Sequence, residues 1–112
     1  MRIVFRVLMM AAVFAAVAAR PAMAQDAEKG KAVYAAQKCS MCHGIAGVGG
    51  KASALDGVGA KLSAADIKAW IVTPKEMTAK TKSTKKPPMP ANYAKLPAAD
   101  LDALVAYMAS LK

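Results

Sequence analysis

Apolar positions along the chain fall into four groups with different periodicity. Val7 to Ala19 is an uncharged run of thirteen residues. From about Ala27 to Lys38 the pattern predicts a first helix, with Asp26 as its N-cap and Glu28 in the first turn, where a helix dipole favours an acid. Gly30 and Tyr34 share one face of it, and a glycine inside a helix costs ~1 kcal/mol against alanine, so its presence calls for a packing reason. Ser63-Ala64-Ala65-Asp66 reads as a capping box, with Leu62 and Ile67 placed for a hydrophobic staple. The helix it opens should stop near Val72, because Pro74 disfavours helical geometry at Thr73. A last helix, about Pro97 to Leu111, carries Leu101, Leu104, Val105, Met108 and Leu111 at helical spacing. No β-alternation of useful length appears, and there are no internal repeats. Composition makes the intervening stretches loops: glycines at 44, 47, 49, 50, 57 and 59, a lysine-rich segment from Lys75 to Lys86, and Pro87-Pro88-Met89-Pro90.

The first apolar run changes which residues count. Arg2 and Arg6 bracket a basic start, and Ala22-Met23-Ala24 gives the small-x-small pattern before Gln25. Residues 1–24 therefore read as a secretory signal peptide. Thirteen residues fall short of the ~20 that a retained spanning helix needs. Residues 25–112 are then a single exported domain, with the periplasm as the expected compartment. That domain holds thirteen lysines and no arginine against seven acids, a formal charge of +6 where the precursor has +9. Its large aromatics are Tyr34, Trp70, Tyr93 and Tyr107 alone. A domain this small buries a modest share of its surface and commonly needs a staple.

Cys39-Ser40-Met41-Cys42-His43 supplies candidate chemistry. Two thiols three apart, followed at once by an imidazole, match covalent haem attachment. Each thiol can add across one haem vinyl group to give a thioether, and the adjoining imidazole then lies under the porphyrin with a ring nitrogen toward the iron. Two other readings of the residues are open. A thiol-disulfide pair would want a βαβ context, and a zinc site would want two further ligands. Cys39 and Cys42 are the only cysteines and His43 the only histidine, so carboxylates would have to complete a zinc site. An apolar porphyrin would also serve as the missing core.

These residues, in this order, resemble a small bacterial class I c-type cytochrome, with one haem and His/Met ligation, over essentially the whole of residues 25–112. The resemblance implies an all-α cytochrome c fold: three main helices and loops wrapped around one covalently bound haem c. It implies Cys39 and Cys42 as the attachment residues and His43 and Met89 as the iron ligands. It would cross the first and last helices so that Gly30 and Tyr34 meet Leu104 and Tyr107. It would also set Trp70 beside a haem propionate, where a buried indole N–H needs an acceptor. One position departs from the pattern. Relatives often have a proline two residues before the leucine of a Leu-x-Gly turn, whose carbonyl accepts from the ligating histidine. Here Ser53 precedes Leu55-Asp56-Gly57, so the carbonyl is present without the ring.

Among the other methionines, Met41 sits inside the attachment motif and cannot reach the opposite haem face. Met108 belongs to the apolar stripe of the last helix, where methionine fills core space. Met77 competes with Met89, but no prolines flank it. A thioether opposite an imidazole makes a fairly high-potential carrier and leaves the iron no open position. The expected function is therefore electron transfer between redox partners, without enzymatic bond chemistry. A ligand-binding haem protein, a sensor or weak peroxidase with an open sixth position, is the alternative. No hydrolytic or group-transfer constellation appears, and export separates the basic charge from nucleic acid. Lys75, Lys80, Lys82, Lys85 and Lys86 against Glu76 give +4 within twelve residues, which predicts docking to acidic patches on partner proteins.

Overall fold

A computed structural model describes residues 22–112, so most of the expected signal peptide lies outside the described residues. Five α-helices follow in order: α1 (Ala22–Ala36), α2 (Val58–Lys61), α3 (Ala64–Val72), α4 (Pro74–Thr81) and α5 (Ala98–Ser110). Short 3-10 turns span Cys39–Met41 and Ala91–Lys95. The fold is predominantly helical, in keeping with the all-α expectation.

Three helices stand close to where the sequence puts them. Ser63 caps α3, its hydroxyl accepting from the Asp66 N–H at 3.1 Å, and Thr73 closes the helix before Pro74. Pro97 precedes α5, and Asp100 lies in its first turn. The start of α1 differs: Asp26 is inside the helix and does not cap it. Ala22, Met23, Ala24 and Gln25 are good helix formers, so the turn propagates through them toward the N-terminus.

The larger correction concerns Lys75 to Lys86. Its first half is helix α4, not loop, with Pro74 at its start, Glu76 in the first turn and Lys80 in the last. Proline at the first helical position loses no intrahelical bond, and both charges oppose the helix dipole favourably. Pro74 and Met77 are buried, while the lysines on the other face are exposed.

Strands, which alternation did not reveal, form a small sheet after the first 3-10 turn. β1 (His43–Ile45) lies between β2 (Val48–Gly49), antiparallel, and β3 (Ser53–Ala54), parallel. Strands of two or three residues are too short for a period of two to show. The register sets His43 opposite Ser53.

The core lies where α1 crosses α5. Val33 and Tyr34 of α1 cluster with Leu101, Leu104 and Met108 of α5 and with Ile67 and Ile71 of α3. At the crossing Gly30 meets Ala103 and Tyr107: a Cβ on Gly30 would stand 1.9 Å from the Ala103 carbonyl oxygen and 2.6 Å from the Tyr107 Cβ. The close approach accounts for the glycine, with Ala103 rather than Leu104 directly against it. Leu104 instead joins Tyr34 in the cluster. The Tyr34 and Tyr107 rings meet edge to face, with centroids 5.7 Å apart at 71°. Lys29 and Asp100 bridge the same helices at 3.4 Å, but Lys29 is exposed and Asp100 only half-buried, and such surface pairs contribute ~0–1 kcal/mol.

Candidate metal centre

The end of α1 determines where the two thiols go. Lys38 takes a left-handed conformation, φ 56°, which stops the helix and starts the 3-10 turn from Cys39 to Met41. The turn is tied by the Met41 N–H to the Lys38 carbonyl at 3.1 Å and the Cys42 N–H to the Cys39 carbonyl at 3.2 Å. Both thiols are half-buried and unpaired.

His43 begins β1 directly after this turn, and its ring is anchored by the sheet. Nδ1 lies 3.1 Å from the Ser53 carbonyl. A carbonyl only accepts, so Nδ1 carries the proton and Nε2 keeps its lone pair. Ser53 thus supplies the bond even without a proline at that position, because β1–β3 pairing holds its carbonyl in place. The His43 carbonyl is held in turn by the Gly50 N–H at 3.1 Å, with the Tyr34 hydroxyl at 3.4 Å. Burial pushes the imidazole pKa down, the Ser53 bond opposes this, and the nearby charge of Lys85 lowers it further. A neutral imidazole with one fixed tautomer is the form a metal takes.

Cys39 carries the opposite signal from the attacking thiol of a redox pair. Burial pushes the Cys39 thiol up, its own backbone hydrogen bond opposes the shift, and Cys42 adds to it. Thiol-disulfide catalysts depress the attacking thiol, so Cys39 is poorly suited to exchange. Nor do three or more His, Cys, Asp or Glu side chains converge among the described residues, as a zinc site would need.

Met89 lies beyond α4, half-buried between Pro88 and Pro90, and packs against the same core cluster as Cys39, Leu55, Tyr93 and Leu96. Met77, its competitor, is buried on α4 at 8% exposure. Trp70 stands on α3, half-buried and outside the central cluster. Sequence reasoning gave three further residues no part at this centre. Tyr34 reaches the His43 carbonyl, Lys85 acts on the imidazole, and Tyr93 lies close enough to both cysteines for their charges, after burial, to raise its phenol pKa. Only Tyr93 left a usable mark, an aromatic just past the proline cluster in a chain with few aromatics.

Two free thiols at the two ends of one turn, a neutral imidazole aimed by its second nitrogen, and half-buried apolar side chains around them fit a covalently bound iron porphyrin. Comparison with curated proteins and with solved structures returned no match. The family model described as Cytochrome c matches residues 27–112, which takes in the motif, the small sheet, α1 from Ala27 onward and all of α2 to α5. The chain therefore belongs to the cytochrome c family, whose members carry covalently attached haem c with its iron.

Proposed function

We propose that this haem-binding electron-transfer protein is a periplasmic carrier with a closed, His/Met-ligated iron. Cys39 and Cys42 would hold the haem through thioethers, and His43, through Nε2, and Met89 would be the residues that ligate its iron. The haem contributes the one-electron chemistry. The residues around it fix the ligands, limit water and set the potential. The observation that carries this reading is the His43 Nδ1 to Ser53 carbonyl bond, since it sets the tautomer that leaves the Nε2 lone pair available to an iron. Support for Met89 comes from its place against the cluster that Cys39 also touches, on a segment stiffened by Pro87, Pro88 and Pro90. Trp70 would donate its indole N–H to a haem propionate.

Two strong protein ligands leave no coordination site for a substrate, which favours electron transfer over catalysis. Lys75, Lys80, Lys82, Lys85 and Lys86 are all exposed, and Lys85 is near enough to act on His43. Their charge would steer an acidic partner toward the metal centre. The test is spectroscopic. Ferric protein should show the weak near-infrared band of iron–sulfur ligation and bind cyanide slowly, and Met89→Ala should abolish the band and open the iron. A band that survives in the variant moves the ligand to Met77, while no band in the wild type would return the open-site reading.

A further inference from the structure

The four methionines of residues 25–112 occupy sharply different environments. Met108 and Met77 are 5% and 8% exposed and belong to the core. Met89 is half-buried and, on the function proposed above, has its sulfur on iron. Met41 is 75% exposed. Oxidation of a thioether by a peroxide needs direct access to a sulfur lone pair, so exposure separates these four by reactivity.

We propose that Met41 is a peroxide-reactive modification site beside the haem-attachment residues, oxidised before any other methionine of residues 25–112. The step is complete with hydrogen peroxide as the only co-reactant. The sulfur gives two electrons to the O–O bond, which breaks; one oxygen remains as the sulfoxide and the other leaves as water. The site is tolerant of the product. Met41's main chain is held by its N–H donating to the Lys38 carbonyl, while the side chain is exposed to solvent. The new oxygen therefore enters water rather than the core, and the Cys39–Met41 turn and the His43 anchor are left in place. This differs from oxidation at Met77 or Met108, where a polar oxygen would enter packed apolar surroundings. It also differs from Met89, where oxidation would remove an iron ligand. Sulfoxides are returned to thioethers by methionine sulfoxide reductases, so the change is reversible.

The experiment titrates the holoprotein with hydrogen peroxide, maps oxygen uptake by mass spectrometry of its peptides, and follows the near-infrared band in parallel. The expected result is that the haem-bearing peptide with Met41 gains one oxygen severalfold faster than the peptides with Met77, Met89 or Met108, with the band unchanged. Reductase treatment should reverse the gain, and Met41→Leu should lose this first uptake while keeping the haem spectrum. First uptake at Met77, Met89 or Met108, or a Met41 that stays unmodified until the band is lost, overturns the site. Loss of Met89 ligation is read separately: a band absent before any peroxide, with Met41 still oxidised first, overturns the axial assignment and upholds Met41.

Discussion

Replacing Gly30 by alanine sets two physical effects against each other, and the structure decides the sign. Helix propensity alone predicts that Gly30→Ala stabilises α1 by ~1 kcal/mol. The crossing predicts the reverse. The new Cβ would sit 1.9 Å from the Ala103 carbonyl oxygen, where real Cβ contacts essentially never fall below 3.0 Å, so the helices must part by at least about 1 Å. The obstructing atoms are backbone and the Tyr107 Cβ, neither of which can rotate away. A gap of that size forfeits roughly a quarter to a half of the dispersion energy between the facing side chains. Those are Val33 and Tyr34 against Leu101, Leu104 and Met108. Overpacking of this kind costs up to ~3 kcal/mol, so the net loss should be about 2 kcal/mol after the gain in propensity. For a domain of this size that lowers Tm by roughly 8–16 °C. Thermal unfolding of the holoprotein, followed by far-UV circular dichroism and by haem absorbance, measures it. Gly47→Ala is the comparison: no atom lies within 4 Å of its Cβ, so only the positive φ of 78° is penalised, at ~1–2 kcal/mol with the helix crossing intact. A Gly30→Ala protein that melts at or above the wild-type temperature would refute the close-approach argument.

The remaining predictions concern the metal centre. Replacing both Cys39 and Cys42 with serine should give a chain that releases any pigment on acid and organic extraction and that fails to hold its helical fold; pigment that is extractable from the wild type instead would refute thioether attachment. Reversing Lys82, Lys85 and Lys86 to glutamate should slow electron transfer to an acidic partner at low ionic strength and leave the haem spectrum almost unchanged. The effect should fade as salt shortens the Debye length below ~10 Å, and a rate indifferent to both charge reversal and salt would show that the lysines only solvate α4 and the segment after it.

Where a boundary depends on one local group, the sequence announces it. Ser63 begins α3 and Pro74 follows its end because a cap and a missing N–H act within a turn. Helix α4 was obscured by its composition. Its exposed positions are Lys75, Glu76, Ala79, Lys80 and Thr81, and its buried residues are only Pro74 and Met77. Proline first, Glu76 early and Lys80 late were nonetheless helix signals that outweighed the loop-like composition. The sheet could not be read because its information is tertiary. Three strands of two or three residues have no period, and β3 is recruited only when the turn after α1 brings His43 alongside it. The same distinction divides the site. Cys39, Cys42 and His43 announce themselves by adjacency, whereas Tyr34, Tyr93 and Lys85 meet them only through folding.

That division bears on how stability and electron transfer are linked. The buried cluster is small: two residues from α1, two from α3 and three from α5. Around it Leu55, Met89, Tyr93 and Leu96 are only half-buried, and all pack on the cluster that Cys39 touches. An apolar ring system tethered at Cys39 and Cys42 would add its own area to this core, at ~25 cal/mol for each Å² of apolar surface taken from water. It would also draw the segment carrying Met89 onto the rest of the domain. On the proposed ligation, Met89 would be a structural contact as well as an electronic one. Met89→Ala should consequently loosen the segment from Ser83 to Pro90 toward solvent exchange while α1 and α5 remain protected. Hydrogen exchange that rises equally across all the helices would show instead that the methionine segment and the helix crossing open as a single cooperative unit.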